Sequence, residues 1–483
     1  MTASELFDAI KSAAESFGMQ ENAGVPRKKK NATTRNAVGG SSMADGSAFI
    51  AIINTDEPTA GVYGDFSYVV FPAGTKDDVR KAIVGLVLGT EGFKNDYPHA
   101  ELPGLRRQFM ALAKTGAGIY CKTDFTDNET PLTSLISALD EDELFANSDV
   151  KEKYAKEVMA CTIVDFSKPD AMSTVIRWLA AYAAFRGWNS NAKEKKAIEA
   201  ALKVPSSLAS TTDDLVEVKS LLNERRYVVL QGAPGTGKTR MALRLMDDYD
   251  ATEFIQFHAE TSYADFVSGL SPKLTAGAGP QFEMKDGALV RAIKAARRNP
   301  EGRVLLVIDE INRANLPNVL GPAFFLFEPK RAGSKATIRI PDASTPGGEV
   351  EIDGLPRNLH VVATMNTADH SLAVVDFALR RRFAWYTLRP QVPAPDELGD
   401  LNFDEDNFNR FSHIFSKYAP SSELDLQPGQ SYFIYQTRPE LERKIRYELM
   451  PLIREYLQEG FLTKAADEFA QLFYDLTGLP LFE

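Results

Sequence analysis

The second half of the chain alternates short apolar runs with longer stretches in which apolar residues recur at helical spacing. The short runs fit buried strands and the longer stretches fit helices. The predicted strands are the run that begins at Tyr227, then Glu253–His258, Arg303–Ile308, Leu359–Thr364 and Ala384–Leu388, and the predicted helices between them are Met241–Met246, Asp265–Leu270 and Ala288–Arg297. Such alternation predicts a parallel sheet with helices on both faces.

Beyond Asp396 the apolar positions follow a helical pattern with short loops. The predicted helices are Glu405–Tyr418, Glu440–Met450, Leu452–Gln458 and Thr463–Phe473. This segment therefore predicts a small helical domain that follows the sheet.

The first half has a different pattern, in which apolar runs are separated by proline and glycine. Strands are predicted at Phe49–Asn54, Tyr68–Phe71 and Gly118–Lys122, and helices at Lys76–Leu88, Leu102–Ala113, Lys151–Met159, Ala171–Phe185 and Asn189–Leu202. Together they predict a small α+β domain. Its aromatic residues could stack on a nucleobase, although aromatics in such runs more often belong to a core. These aromatics are Tyr63, Phe66, Tyr68, Trp178 and Trp188.

Two polar segments divide the chain. Glu21 to Gly46 holds Gly-Gly-Ser-Ser and the basic run Arg27–Lys30, and it reads as a mobile linker after an amphipathic N-terminal helix. Pro205 to Thr212 has linker composition as well. The predicted domains are residues 1–46 (helix and basic linker), 47–203 (α+β domain), 213–392 (α/β domain) and 393–483 (helical lid).

Composition narrows the classes of protein that fit. The 483 residues carry a net charge of −11, so nucleic-acid contacts would come from local basic patches such as Arg27–Lys30 or Arg106 with Arg107. Two cysteines are too few for a disulfide framework. The N-terminus lacks the pattern of a signal peptide, and no run approaches the length of a membrane span. We therefore expect a soluble, cytoplasmic protein without membrane contact.

The strand that begins at Tyr227 runs into a complete G-x-x-x-x-G-K-[ST] motif, followed by a predicted helix. In this context the motif predicts a phosphate-binding loop, because its glycines let consecutive N–H groups converge on phosphate oxygens at a helix N-terminus. Lys238 adds a cation, and Thr239 offers its hydroxyl to Mg²⁺. The predicted nucleotide-binding residues are Gly232, Ala233, Pro234, Gly235, Thr236, Gly237, Lys238 and Thr239.

Polar residues end two of the other predicted strands. Asp309 and Glu310 follow Arg303–Ile308, and Asn366 follows Leu359–Thr364. Parallel strands place such residues at the edge of the sheet where ligands bind. Asp309 is predicted to hold Mg²⁺ through water, Glu310 to orient the attacking water, and Asn366 to sense the γ-phosphate.

Three arginines, Arg380 to Arg382, end a helical stretch before the last predicted strand. One helix cannot direct all three at one ligand. At least one is therefore expected to face a neighbouring subunit as an arginine finger, and Arg381 and Arg382 are the predicted catalytic candidates.

Two long segments resemble the AAA+ motor subunit of McrB-type, modification-dependent restriction systems. They are IDEINRANLPNVLGPAFFLFE at Ile308–Glu328 and MNTADHSLAVVDFALRRRF at Met365–Phe383, with support from Gln256–Lys273 and Lys285–Leu289. The resemblance covers about Val216 to Leu462. It implies an AAA+ P-loop NTPase fold with a helical lid, preceded here by the α+β domain.

The resemblance also implies properties that the residues alone do not give. The engines of that family are typically GTPases that form hexameric rings and are stimulated by a separate nuclease subunit of McrC type. The N-terminal domain would read DNA, and Asp369 joins the predicted catalytic set.

The chain departs from the family pattern at two positions. His370 stands where the family has arginine, so a permanent cation becomes a group whose charge depends on its surroundings. In the lid, Gly429-Gln430-Ser431-Tyr432-Phe433 has glutamine where the family has histidine. The insertion Thr337–Glu351 predicts a hairpin over the sheet, which could line the pore of a ring or be decorative.

Two other functional classes fit part of the pattern. A protein-remodelling ATPase of MoxR type shares the P-loop, hairpin and arginines but does not explain the Met365–Phe383 match. A binding module whose nucleotide only controls assembly is the third hypothesis. The base also stays open between GTP and ATP, because the chain has no Asn-Lys-x-Asp guanine motif.

Overall fold

The computed structural model describes most of the chain. The described residues are 1–21, 29–58, 60–112, 118–188, 191–202, 213–273, 281–328, 337–341, 349–368 and 377–482. The chain divides into two compact units, Met1–Ser210 and Thr211–Glu483. The division lies within the segment whose composition predicts a linker.

The first unit is built on an antiparallel sheet in the order β1-β2-β3-β4-β6-β5. Its strands are β1 (Ala32–Ala37), β2 (Phe49–Asn54), β3 (Phe66–Thr75), β4 (Asp78–Leu88), β5 (Ile119–Cys121) and β6 (Val158–Asp165). Alternate residues of a strand point to opposite faces. In β2, Ile50 and Ile52 join one apolar cluster while Ala51 and Ile53 join another, so both faces of the sheet are covered.

Helices cover the two faces of this sheet. They are α1 (Ala3–Ser16), α2 (Gly40–Ala44), α3 (Tyr97–Ala100), α4 (Pro103–Ala111), α5 (Thr133–Asp140), α6 (Asp149–Glu152), α7 (Ala171–Phe185) and α8 (Ala192–Leu202). On one face lie α1, α4, α7 and α8, and on the other lie α5 and α6. Leu6 and Ile10 of α1 are fully buried, which makes the N-terminal helix part of the core.

Two predicted elements of this unit are wrong in type. Lys76–Leu88, predicted as a helix, forms strand β4 from Asp78. The strand lies between β3 and β6 with both faces buried, and a continuous apolar run of this kind cannot be told from a buried helix by periodicity. In Lys151–Met159, helix α6 ends at Glu152 and strand β6 begins at Val158.

The predicted mobile linker also differs from the structure. Within Glu21 to Gly46, Ala32–Ala37 pairs with β2 as an edge strand, and Gly40–Ala44 forms α2. Strand β1 is polar and is held by backbone pairing with the apolar β2, so its own sequence has no hydrophobic pattern that predicts a strand. The aromatic residues Phe66, Tyr68, Trp178 and Trp188 lie in the core, so the base-stacking interpretation does not apply to them.

The described residues of the second unit contain a parallel sheet and separate antiparallel strand pairs. Its strands are β7 (Tyr227–Gly232), β8 (Ala251–Gln256), β9 (Ser268–Lys273), β10 (Gln281–Asp286), β11 (Val304–Asp309), β12 (Ile338–Pro341), β13 (Glu349–Ile352), β14 (Leu359–Asn366), β15 (Ala384–Thr387), β16 (Asn402–Phe403) and β17 (Ile434–Tyr435). The sheet is parallel, as the alternation predicts, and the structure gives its strand order as β15-β7-β14-β11-β8. The antiparallel pairs join β9 to β10, β12 to β13, and β16 to β17, the last across helix α16.

The helices of this unit are α9 (Asp214–Arg225), α10 (Lys238–Met246), α11 (Tyr263–Phe266), α12 (Ala288–Arg298), α13 (Leu316–Leu320), α14 (Phe377–Arg380), α15 (Pro395–Leu398), α16 (Glu405–Tyr418), α17 (Arg438–Lys444), α18 (Met450–Gln458) and α19 (Ala466–Thr477). The sheet packs against α12 on one face and against α9 and α10 on the other. The lid has its own core, in which α16 and α19 meet through Phe411, Phe415 and Phe469. Within the described segments, each helix is too short or too polar to cross a bilayer.

The predicted helix Asp265–Leu270 is wrong in its second half. Helix α11 ends at Phe266, and β9 begins at Ser268 to pair with β10. For the insertion Thr337–Glu351, the two predicted arms pair as β12 and β13. The turn between these arms lies outside the described residues.

A buried histidine lies on β14, in the sheet of the second unit. His360 Nδ1 is hydrogen-bonded to the Tyr249 hydroxyl at 2.7 Å. Burial lowers the pKa of His360 from 6.5 to about 4, and the charges of Arg303 and Arg226 act in the same direction. The imidazole is therefore neutral in the folded protein at neutral pH.

We expect the free energy of unfolding of this unit to fall as the pH falls from 6.5 towards 4. In that window the unfolded chain binds a proton at His360 that the folded protein excludes. His360→Gln should reduce this slope in urea titrations at a series of pH values. It should not abolish it, because burial also lowers the pKa of His413. His258→Gln, at an exposed position, is the control variant. Equal slopes for wild type and His360→Gln would contradict the prediction.

Candidate nucleotide-binding site

The loop between β7 and α10 has the backbone shape that the motif predicts. Gly235 (φ 79°) and Gly237 (φ 92°) adopt left-handed conformations that favour glycine. A Cβ at Gly235 would overlap the Ser431 hydroxyl and the Tyr432 ring of the lid. The loop thus turns tightly at the start of α10 while the lid packs directly against it.

Lys238 is held over this loop. Its side chain is buried, and Nζ donates to the carbonyl oxygens of Gly232 (2.9 Å) and Ala233 (2.8 Å). The Thr236 hydroxyl donates to the same Ala233 carbonyl at 3.0 Å. The ammonium group therefore lies beside the loop at a helix N-terminus, where a phosphate would find both a cation and backbone N–H donors.

Strand β11 brings Asp309 to the loop. Asp309 Oδ1 accepts hydrogen bonds from the Thr239 hydroxyl (2.9 Å) and from the Thr364 hydroxyl (2.6 Å). Mg²⁺ prefers oxygen ligands and usually keeps several waters. With its proton directed at Asp309, the Thr239 hydroxyl can offer a lone pair to the metal while the carboxylate accepts from metal-bound water, so the residues fit a Mg²⁺–nucleotide complex.

Glu310 follows directly and adopts an uncommon backbone conformation. Its φ of 56° and ψ of 48° lie in the left-handed region, which is sparsely populated by residues other than glycine and often marks functional sites. Its N–H donates to the Thr364 hydroxyl at 2.9 Å. Its carboxylate Oε2 lies 3.3 Å from Arg313 Nε. The Glu310 carboxylate thus lies beside a cation three residues along the chain.

Asn366 ends β14, where its register partner is Gly232 of β7. The side-chain oxygen Oδ1 accepts from the Ala368 N–H at 3.2 Å, which makes the amide nitrogen the end that can donate to a phosphate oxygen. Asn312 Nδ2 donates to the Asn366 carbonyl at 3.2 Å. The strand end is therefore tied to the segment that follows Glu310.

Lys238, Thr239, Glu310 and Asn366 line one cavity of about 490 Å³. It is lined by residues of the loop with the start of α10 and of four other segments: Pro234, Gly235, Gly237, Lys238, Thr239, Arg240, Glu310, Arg313, Asn366, Pro393, Glu397, Gln430, Ser431 and Ile434. The lid wall is bonded to the loop, since Gly429 N–H donates to Pro234 O (2.8 Å) and Gln430 Nε2 to Thr236 O (3.3 Å). The lid position at which the chain departs from the family pattern therefore lies in the site.

The three arginines have different surroundings. The Arg380 guanidinium lies over the Trp385 ring, 4.9 Å from its centroid. Arg381 is 69% exposed and lies 3.2 Å from Glu328. Arg382 is 7% exposed, is paired with the same Glu328 and covers the Phe324 ring. Arg381 thus has the accessibility that a finger needs, whereas Arg382 packs inside its own domain.

Not every predicted site residue can be placed, and some contributing residues were not predicted. Asp369 and His370 lie outside the described residues. Thr364, Arg313 and Asn312 contact predicted site residues without belonging to the phosphate-binding motif or to the acidic strand end. The signal for Thr364 was its position as the last residue of a predicted strand, directly before the sensor segment.

Comparison with known proteins shows which proteins this chain is similar to. Residues 216–383 match the model of the AAA domain (dynein-related subfamily). The chain is 32% identical over 258 residues to the type IV methyl-directed restriction enzyme EcoKMcrB subunit of Escherichia coli (strain K12). It is 26% identical over 211 residues to the type II restriction enzyme BsuMI component YdiS of Bacillus subtilis (strain 168).

These similarities are partial. The match to the McrB subunit covers 49% of this chain and 54% of that protein, and the match to YdiS covers 37% and 62%. A solved structure of a candidate ATPase from Cytophaga hutchinsonii is 18% identical and covers 39% of this chain and 52% of that one. Its TM-score of 0.26 is too low to carry an argument. Residues 216–383 are thus an AAA domain, and over about half of its length the chain is similar to an McrB subunit of a restriction enzyme.

Proposed function

We propose that this protein is the nucleoside triphosphate-hydrolysing motor or switch subunit of an McrBC-like restriction system, which couples DNA recognition to a separate nuclease subunit. The observation that carries the proposal is the cavity in which Lys238, Thr239 and Glu310 meet, with Asp309 bonded to Thr239, on a domain related to two restriction proteins. Both relatives belong to restriction systems, so the MoxR-type alternative is not favoured. A cytoplasmic location is part of the proposal, because the DNA is there.

The residues divide the work of phosphoryl transfer between binding and positioning. Lys238 and the loop N–H groups would hold the β- and γ-phosphates, and Thr239 and Asp309 would hold a hydrated Mg²⁺. The metal, when bound, neutralises charge on the phosphates. Glu310 orients the attacking water, and the Asn366 amide donates to the γ-phosphate or to that water. Positioning and charge stabilisation account for most of the catalysis in this class of reaction.

GTP is the proposed nucleotide, with ATP as the alternative. The support is the resemblance to a family that typically uses GTP. Gln430, which replaces the histidine of that family, lines the cavity and donates to Thr236 O, so the lid wall of this site has its own chemistry. A comparison of turnover with GTP and with ATP decides between them.

A ring, most simply a hexamer, completes the proposal. Arg313 lines the cavity of its own subunit, but Glu310 balances its charge. Arg381 is largely exposed and would supply the additional cation to the site of a neighbouring subunit. An McrC-like nuclease would perform the cleavage, and the first unit would bind DNA. Support for these partners comes from the resemblance and from the basic run before β1.

We expect Glu310→Gln to bind nucleotide with unchanged affinity and to hydrolyse it about 10²–10⁴-fold more slowly, because an amide cannot act as a base towards water. Steady-state phosphate release and equilibrium nucleotide binding measure the two quantities. Glu301→Gln, at an exposed position before β11, is the matched control and should match wild type in both. Wild-type turnover in Glu310→Gln would exclude the proposed role.

We expect mixtures of two inactive variants to test the shared site. Lys238→Ala destroys the binding side of a site, and Arg381→Ala destroys the finger, so a mixed ring contains some interfaces with both groups intact. Since a finger supplied in trans changes turnover by about 10³–10⁵, these interfaces should restore measurable phosphate release. Lys238→Ala mixed with Glu310→Gln is the control, because both lesions lie on the same side of the site. If no mixture recovers turnover and the wild type is fully active as a dilute monomer, the ring is not required.

We expect the intact protein, with nucleotide present, to bind duplex DNA at low salt with a strong salt dependence. Replacing Lys28, Lys29 and Lys30 by alanine should make the slope of log affinity against log salt concentration less steep. The expected change is about 0.9 for each phosphate that the variant no longer neutralises. The matched control replaces Lys193, Lys195 and Lys196, which are exposed on α8. Absence of duplex binding under these conditions would refute DNA recognition by this chain. Equal slopes for the two triple variants would show that the basic run does not contact the DNA phosphates.

A further inference from the structure

Thr364 is a buried threonine at the carboxyl end of β14, between the strands that carry the phosphate-binding loop and Asp309. Thr364 is 2% exposed. The hydroxyl donates to Asp309 Oδ1 at 2.6 Å and accepts the N–H of Glu310 at 2.9 Å. One side chain therefore contacts the predicted metal-holding carboxylate and the backbone of the predicted water-orienting residue.

The chemistry of a hydroxyl explains why both contacts come from the same atom. A hydroxyl has one proton to donate and two lone pairs to accept with. Here the hydroxyl donates its hydrogen bond to Asp309, and one lone pair accepts a hydrogen bond from the Glu310 N–H. Valine has the same shape without either capacity, whereas serine retains both.

The two contacts restrain two different degrees of freedom. Asp309 Oδ1 accepts a second hydrogen bond, from the Thr239 hydroxyl, so this oxygen is fixed between two donors and the carboxylate cannot rotate about its Cβ–Cγ bond without losing both. Glu310 is held in a left-handed backbone conformation, and its N–H is satisfied only while the Thr364 oxygen lies opposite. Loss of the hydroxyl would free the carboxylate and leave a partly buried N–H without its acceptor.

We propose that Thr364 is a positioning residue for nucleotide hydrolysis, which aligns the Asp309 carboxylate with Mg²⁺ and the Glu310 carboxylate with the attacking water. The inference rests on the proposed function of the same site. Thr364 binds no nucleotide atom in this scheme and acts only through its two neighbours. Its loss should therefore slow the chemical step and weaken the use of Mg²⁺ while the loop still binds phosphates.

The test compares Thr364→Val and Thr364→Ser with wild type. We expect Thr364→Val to lower kcat by about ten- to a hundred-fold, because the partly buried Glu310 N–H loses its acceptor and the Asp309 carboxylate loses a donor. The KM for nucleotide should stay within about threefold, and the Mg²⁺ concentration for half-maximal turnover should rise. Thr364→Ser should restore kcat to within about threefold of wild type.

Thr387→Val is the matched control for the loss of a threonine hydroxyl from the same sheet. The Thr387 hydroxyl accepts from Gln231 Nε2 at 2.8 Å and contacts neither Asp309 nor Glu310 in the described structure. This variant should keep the wild-type Mg²⁺ dependence. A fall in nucleotide affinity that parallels the fall in kcat for Thr364→Val, or failure of Thr364→Ser to recover, would show general distortion and overturn the proposal.

A second readout separates this proposal from the proposed function. Binding of a fluorescent nucleotide analogue is titrated with Mg²⁺, which requires no turnover. If wild type shows no hydrolysis, the proposed function fails, and the Mg²⁺ midpoint of Thr364→Val still decides the positioning role. A higher midpoint supports the role, and an unchanged midpoint overturns it.

Discussion

The site depends on the register of β14 between its two parallel neighbours. Asn366 pairs with Gly232 on one side, and Ala363 pairs with Ile308 on the other, so the next residue, Thr364, lies beside Asp309. A shift of one residue would turn every side chain of β14 to the opposite face of the sheet. Hydrophobic residues of this strand fill the cores on both faces, and this packing maintains the register. The alignment of polar groups at the strand ends follows from apolar contacts farther along the same strands.

How much of the molecule could be predicted from sequence depended on how local the determinants are. The loop from Gly232 to Thr239 encodes its own shape through glycine and its own charge through Lys238, and the structure has the shape that the motif predicts. Asp309 and Glu310 follow a strand without ambiguity. The sequence of β4 predicts a helix because its apolar run is buried on both faces of the sheet. The sequence of β1 predicts no strand, because this polar segment is held by backbone pairing with β2.

The contacts of Thr364 were beyond sequence reasoning for a related reason. Its hydroxyl meets Asp309 across 55 residues of chain, through a strand pairing that no local pattern shows. The separation of Arg381 from Arg382 in exposure likewise depends on Glu328, which lies far earlier in the chain. Residue types identified the chemistry of the site, whereas the hydrogen bonds that orient each group required the assembled sheet.

Glu328 is shared by two arginines, and the sharing has an energetic consequence. A buried guanidinium without a counter-charge is costly, but Arg382 keeps Glu328 as its partner whether or not Arg381 is also bound to it. Arg381, being exposed, gives up only a weak, solvent-screened ion pair when it leaves. The Arg381 guanidinium can thus bind an anion outside the domain at little cost to the domain's stability. When that anion leaves, Arg381 can pair with Glu328 again.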